Sequence, residues 1–334
     1  MKNLRVLYAN RCAQRFWSIE ELFHTVSRAL PSWIQSAAAS APHGRASIRS
    51  LIGNLHWAKS LKGCDLIHQT GDIHYAVLGM WRCPVVLTIH DLRFIDETRG
   101  LKRILFWLFW LYLPCLLANR ITVISEFTKN RLLALGRVNP KKVRVIPNCV
   151  APEFIAETKP WPAGKPRLLQ VGTTDNKNLD RVAAACAGLA VRLCILGNLS
   201  PSQRQQLDQQ GVEYDTHQDL AREEVVKLYQ ACDLVLFVST YEGFGMPLLE
   251  AQAVGRPILT ADIPPMCDIA GAGALKVDPF DVAAIRAGLA RLLEDATLRE
   301  HLVSEGFLNV ARYSAEAVAA QYAELYREAL GRRA

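Results

Sequence analysis

Ser239-Thr-Tyr-Glu-Gly-Phe-Gly-Met-Pro-Leu-Leu-Glu-Ala-Gln-Ala-Val-Gly255 is the stretch on which the reading of this chain turns. It follows the apolar run 234–238, whose unbroken hydrophobicity suits a strand buried on both faces. Gly243 and Gly245 keep side chains out of the turn, so a ligand can approach the backbone. Pro247 suits the first position of a helix, and Gly255 with Pro257 ends that helix at about Val254. A strand, a glycine turn and a helix N-terminus in succession offer free N–H groups and the positive end of a dipole. Such an arrangement receives anions or sugars.

Two carboxylates bracket the turn. Glu242 precedes the glycines and Glu250 stands one turn into the helix, with seven residues between them. A glutamate near a helix start also serves the dipole alone, so the agreement of the whole segment carries the argument. The segment resembles the Glu-x7-Glu signature of retaining GT-B glycosyltransferases of family 4, the glycosyl transferases group 1. There it typically reads EGFGLPxLEAMAxG. This chain looks most like the bacterial mannosyltransferase-like members.

With 334 residues, half of them hydrophobic and 21% charged, the chain has material for two cores of ordinary size. Its nine cysteines are scattered singly, with no C-x-x-C pair, which fits a reduced, cytoplasmic interior without a disulfide or zinc framework. The N-terminus enters a strand-like run directly and carries no secretory signal pattern. The formal charge of +7 comes with no nucleic-acid motif, so nucleic acid is not expected as a partner. An anionic membrane surface, a phosphorylated substrate and plain solubility each account for it.

Ile104-Leu-Phe-Trp-Leu-Phe-Trp-Leu-Tyr-Leu-Pro-Cys-Leu-Leu-Ala118 follows Arg99, Lys102 and Arg103. Fifteen residues interrupted by Pro114 are short for a bilayer span. Two readings stay open: a helix buried against the first sheet, and an interfacial helix with Trp107, Trp110 and Tyr112 at headgroup depth.

Short apolar runs alternate with helical patterns, which predicts parallel sheets in βαβ order. Strands are expected at 4–8, 65–68, 85–89, 121–124 and 143–146, then at 167–171, 191–196, 234–238 and 257–260. Helices are expected at 18–30, 126–135, 178–189, 223–231, 283–294 and 315–330. The proline-rich connector 157–166 separates a domain of residues 1–156 from one of residues 167–313. The resemblance implies an α/β GT-B plan: two Rossmann-like parallel-sheet domains facing across a cleft, acceptor side first and nucleotide-sugar side second. Helix 314–330 would cross back to the first domain.

Thr88-Ile-His-Asp-Leu92 leaves a strand, so His90 and Asp91 stand at a carboxyl end. It resembles the HDL segment of members that often use mannosyl donors, where the histidine lies against the transferred sugar; a turn-forming His-Asp pair is the plainer reading. Val171-Gly-Thr-Thr-Asp-Asn-Lys-Asn-Leu179 resembles the family's VGTxxPRKNL, with Gly172 at the tight turn and Lys177-Asn178 as the KN pair. Asn176 stands where the family has arginine, which removes one expected positive charge. Ser125 is a natural N-cap in the family-like segment SEFT. Many relatives have paired glycines after the first strand; this chain has Ala9-Asn-Arg-Cys-Ala-Gln-Arg-Phe-Trp17, where Arg11 and Arg15 are the available charges. Without G-x-G-x-x-G, a nicotinamide dehydrogenase is disfavoured.

By resemblance, Glu250 would accept hydrogen bonds from ribose hydroxyls. Glu242 would hold a hydroxyl of the donor sugar and stabilise developing positive charge. The backbone from Gly243 through Phe244 to Gly245 would contact the sugar, Gly172 and Lys177 would serve the diphosphate, and His90 would sit across the cleft. No D-x-D motif or metal-ligand cluster appears, so no cofactor or metal is expected beyond the nucleotide sugar as co-substrate. The implied activity is transfer of a hexose, mannose favoured, to a glycan or lipid-linked acceptor in bacterial polysaccharide or lipopolysaccharide synthesis. It would take place in the cytoplasm or at the inner face of the membrane. A nucleotide-sugar epimerase of the same fold and a non-catalytic partner of another transferase are the alternatives.

Overall fold

A computed structural model describes residues 3–12, 18–44, 47–135 and 137–331. The chain folds as two compact units, one of residues 1–149 with residues 315–334, the other of residues 150–314.

The first unit is built on six parallel strands: β1 (Leu4–Asn10), β2 (Ile34–Ser40), β3 (Leu66–Gln69), β4 (Val85–Ile89), β5 (Arg120–Val123) and β6 (Val143–Val145). Their order is β2-β1-β3-β4-β5-β6. Alternation along each strand feeds two cores. Val6, Tyr8, Leu66 and Val86 face one cluster, while Ala9, Ile67, Leu87 and Ile89 face the other. The first cluster is closed by the terminal helix Ala315–Ala329, through Val318, Ala319, Tyr322, Leu325 and Tyr326. Beneath that helix lies a polar seam. His68, fully buried, has Nδ1 2.8 Å from Tyr326 Oη and Nε2 2.7 Å from Thr88 Oγ1. Burial pushes its pKa down to about 3, so this histidine is neutral.

Gly100–Leu117 is one continuous helical stretch with a mean hydropathy of 1.4, of which only 17% is buried. Pro114 does not end it. The six residues Trp107–Tyr112 widen into a π-helix, and a regular α-turn resumes over Leu113–Leu117. A proline cannot bond the carbonyl four residues before it. That carbonyl, on Trp110, receives the Nδ1 of the buried His74 at 3.1 Å instead. The wider turn also stacks Trp107 on Tyr112, five residues apart, with ring centroids at 5.0 Å and planes at 11°. Leu111, Pro114 and Cys115 make the buried seam, while Leu101, Ile104, Leu105, Phe109, Leu116 and Leu117 stay exposed. A helix wholly buried against the sheet is therefore excluded.

The second unit holds β7 (Arg167–Val171), β8 (Arg192–Leu196), β9 (Glu213–His217), β10 (Leu234–Phe237), β11 (Ile258–Ala261) and β12 (Leu275–Val277), all parallel. The order β12-β11-β10-β7-β8-β9 is that of a doubly wound dinucleotide-binding sheet. Connections run outward in both directions from the β7–β10 pair, so a crevice opens at the carboxyl ends of these two strands. The passage between units falls at residues 149–150, ahead of the proline-rich stretch 157–166. That stretch and the residues before it pack on the second unit. The Phe154 ring meets the edge of Tyr229 at 5.3 Å, Lys159 pairs with the buried Asp233 at 2.6 Å, and Arg299 lies 3.7 Å over Trp161.

Candidate functional site

The loop leaving β7 is shaped by two left-handed residues. Gly172 has φ +89°, and a Cβ there would fall 2.9 Å from Lys177 Cγ. The missing side chain lets the lysine stem lie back along the turn. Asn178, at φ 61°, precedes the helix Leu179–Cys186. Its amide donates to the carbonyls of Val238 at 3.0 Å and Pro279 at 2.7 Å, which ties this loop to the end of β10. Of the KN pair, the asparagine is thus the brace and the lysine is the free-reaching arm.

The loop leaving β10 brings Glu242 to that arm. Lys177 Nζ lies 2.6 Å from Glu242 Oε1 and 4.7 Å over the Phe237 ring. Asn176 donates to the same Oε1 at 3.3 Å and to the Tyr241 carbonyl at 3.0 Å, while Thr240 N–H donates to the Asn176 carbonyl at 2.8 Å. The residue that looked like a lost positive charge is a positioning residue for the carboxylate.

Gly245 follows, at φ +112°, as the N-cap of the helix Met246–Val254. No side chain caps this end; Pro247 carries no N–H and the Leu248 N–H donates to the Gly245 carbonyl at 3.0 Å, so the positive end of the dipole is what this turn offers a ligand. Between Gly243 and Gly245, Phe244 points the other way: it is 3% exposed, with its ring 6.1 Å from Tyr313. Its side chain anchors the turn, and only its backbone can serve a ligand.

Glu250, one turn on, is buried. Tyr229 donates to its Oε2 at 2.7 Å, and Arg222 Nη1 lies 3.5 Å from Oε1. Desolvation raises its pKa, offset by Arg222, the Tyr229 hydroxyl and Lys177. Burial beside this carboxylate in turn drives the Tyr229 pKa well above its ordinary value. Arg222 is held by stacking 4.7 Å over Phe154. Tyr229 and Arg222 both come from the helix Arg222–Ala231 and escaped the sequence reading, since nothing in a pattern of charges marks which helical residues will meet a carboxylate on another helix.

The second unit therefore brings together Gly172, Lys177, Glu242, Gly243, Gly245 and Glu250. His90 belongs to the first unit, at the end of β4. Its Nε2 lies 2.8 Å from the Thr70 carbonyl, so Nε2 carries the proton and Nδ1 is left as an acceptor. Burial lowers its pKa and keeps it neutral. Asp91 accepts from the Arg93 N–H at 3.0 Å, the turn-forming role of an aspartate. Arg11 pairs with Glu20 at 3.0 Å and with Asp72 at 3.5 Å, while Arg15 lies outside the described residues. Among the described residues, no group of three His, Cys, Asp or Glu side chains is arranged to hold a metal.

The family model for glycosyl transferases group 1 matches residues 153–308, and that for glycosyltransferase family 4 matches residues 15–154. The O-antigen chain mannosyltransferase B of Escherichia coli is 32% identical over 105 residues, 31% of this chain and 28% of that protein. A D-inositol 3-phosphate glycosyltransferase of Corynebacterium urealyticum is 39% identical over 107 residues, 31% of this chain and 25% of that one. The chain thus matches only about a quarter of the length of these relatives. Among solved structures, Anabaena HepE in complex with UDP and glucose superposes with a TM-score of 0.76 at 15% identity, over 97% of this chain and 100% of that one. WaaG, a glycosyltransferase involved in lipopolysaccharide biosynthesis, does so at 0.70 and 15%, over 96% and 99%. These structural likenesses speak for the fold.

Proposed function

The chain belongs to glycosyltransferase family 4, the glycosyl transferases group 1, and has the GT-B fold; from this we propose that it is a retaining transferase moving a hexose from a nucleotide diphosphate sugar to a glycan or lipid-linked acceptor. The observation that carries the reading is the Lys177–Glu242 pair, set at the β7–β10 crevice before an uncapped helix N-terminus.

Each part has a task in the proposed reaction. Glu250 is an acceptor for the ribose hydroxyls, and Tyr229 and Arg222 hold its orientation. Lys177 and the dipole of Met246–Val254 balance the charge on the diphosphate as its bond to the sugar breaks, with no divalent ion called for. Glu242, fixed through Oε1 by Asn176 and Lys177, offers its other oxygen to a sugar hydroxyl and stabilises positive charge at the anomeric carbon. His90, neutral with an unprotonated Nδ1, accepts a hydroxyl proton in a hydrogen bond rather than acting as an acid. Neither glutamate is assigned as a nucleophile.

GDP-mannose is the favoured donor, supported by the HDL likeness and the mannosyltransferases among the relatives. Synthesis of a bacterial surface polysaccharide at the inner face of the membrane is supported by the exposed apolar face of Gly100–Leu117, with Arg99, Lys102 and Arg103 beside it. Calorimetric titration of GDP, UDP and their sugar conjugates into the wild type and Glu250→Ala tests the donor site. One nucleotide is expected to bind, at least tenfold more weakly to the variant. Binding of neither would end the transferase reading.

A further inference from the structure

We propose that Cys64 and Cys83 are a modification site: a thiol pair that hydrogen peroxide closes into a reversible disulfide, strapping the amino ends of β3 and β4. Cys64 stands just before β3 and Cys83 just before β4. These strands are parallel neighbours, with Ile67 beside Val85. Carried back two residues, that register sets Asp65 beside Cys83, with Cys64 one step further. Strands about 4.8 Å apart that rise about 3.3 Å per residue put the two Cα atoms roughly 6 Å from each other. A disulfide spans about 4.4–6.8 Å between Cα atoms.

The side chains converge as well. The two sulfurs lie 3.9 Å apart, and Cys83 Sγ stands 3.6 Å from the Cys64 carbonyl. Bringing the sulfurs to bonding distance takes a movement of about 2 Å, which side-chain rotation supplies. Cys115, Cys149, Cys186, Cys194 and Cys232 are buried, whereas Cys64 and Cys83 are half-buried. Lys62, Gly63, Trp81 and Arg82 beside them are exposed, so a small oxidant reaches the pair from solvent. Burial, followed by the neighbouring thiol, pushes the Cys64 thiol up to about 11, so it rests protonated at neutral pH. Two sulfurs also fall short of the ligand set of a structural zinc, and no group of three His, Cys, Asp or Glu among the described residues completes one.

The reaction balances on these two residues and one peroxide. The thiolate of one cysteine attacks a peroxide oxygen, the O–O bond breaks, and a sulfenic acid and one water form. The second thiol attacks that sulfur, the S–O bond breaks, the S–S bond forms and a second water leaves. The sulfurs lose two electrons to the peroxide, and both thiol protons end in water. A small-molecule thiol reverses the step by exchange. The bond closes segment 64–83 into a loop that contains β3 and Thr70, whose carbonyl holds His90. Closing that loop restricts the unfolded chain and so favours the folded first unit. The thiol chemistry holds whether or not the chain transfers a sugar.

Peroxide treatment of the reduced full chain, followed by alkylation and tryptic mapping without reductant, tests the site. The expected product joins peptide 63–82 to peptide 83–93, and dithiothreitol releases it. Its yield should be roughly fivefold higher, or more, from the folded protein than from the chain unfolded in urea, where the sulfurs are no longer held together. Cys64→Ser and Cys83→Ser should each abolish it. The thermal unfolding midpoint should rise when the wild type is oxidised and fall back with dithiothreitol, with no such rise in either variant. Thiol loss without this product, or equal yields from folded and unfolded chain, overturns the pairing, and that comparison needs neither variant to fold. A disulfide that leaves the wild-type midpoint unchanged overturns the strap.

Discussion

Lys177 and Glu242, 65 positions apart in sequence, meet at 2.6 Å because the strands that deliver them, β7 and β10, are neighbours at the centre of one sheet. The pair is mostly shielded, with side chains 18% and 15% exposed. In the proposed reaction this shielded pair would exchange partners, the lysine toward a diphosphate and the carboxylate toward a sugar.

Glu242→Gln keeps shape and the Asn176 bond while removing the charge. Turnover is expected to fall on the order of 10²–10³-fold, the usual effect of removing one preorganised electrostatic group, with nucleotide affinity changed by less than about threefold. Steady-state kinetics beside calorimetry checks the split.

Lys177→Ala removes a charged hydrogen-bond donor and is expected to weaken nucleoside diphosphate binding by about 1.5–3 kcal/mol, roughly tenfold or more. Gly172→Ala should reproduce much of this effect, since its Cβ would displace the lysine stem and φ +89° disfavours any side chain. Nucleotide affinities of the two variants that diverge widely would show that the turn does not place the lysine.

Glu250 gives a pH signature. Its pKa is raised above 4.5, and in the proposed reaction the ionised form is the better acceptor for the two ribose hydroxyls. Nucleotide affinity is therefore expected to rise with pH through this raised value and to level off above it. Acidification should weaken binding at a pH where an exposed glutamate is still ionised. In Glu250→Gln this step should disappear, as read by titration across a pH series.

His68 acts on stability with the sign of a depressed base. The unfolded chain protonates it near 6.5 and the native protein only near 3, so its contribution is complete above 6.5 and is lost as pH falls toward 3, by about 1.4 kcal/mol per pH unit. Urea denaturation of wild type and His68→Gln between pH 7 and 4 should show the wild type losing stability more steeply. Tyr326→Phe, which leaves His68 Nδ1 without its partner, should cost about 1–3 kcal/mol at neutral pH.

Leu101→Ser with Ile104→Ser removes apolar area from the bare face of Gly100–Leu117. Sedimentation with vesicles containing anionic lipid is expected to show wild-type binding that weakens with salt and a several-fold loss in the double variant. Neutralising Arg99, Lys102 or Arg103 should each cost about 1 kcal/mol. Equal partitioning of all these proteins would remove the membrane contact from the proposed function.

The central strands and the glycine turns could be read directly from the amino acids, because a strand buried on both faces must be an apolar run and a left-handed turn favours glycine. The runs around β1, β3, β4, β7, β8, β10 and β11 were legible for that reason, and so were Gly172, Glu242, Gly245 and Glu250 in their segments. Three strands at sheet edges were not: β2, β9 and β12. Ile34–Ser40 and Glu213–His217 are largely exposed or half-buried, and Leu275–Val277 is three residues long, so burial leaves no apolar signature on them. They are strands because β1, β8 and β11 offer them a free edge to pair with. The partners inside the site were decided the same way. Asn176 reads as a missing charge until the β10 loop arrives beside it, and Tyr229 and Arg222 read as ordinary helix residues until Glu250 is packed against them. Sequence carries what each residue needs from its own surroundings, a burial, a turn or a cap. Which distant residue supplies it is a property of strand order and packing, and only the tertiary structure holds that.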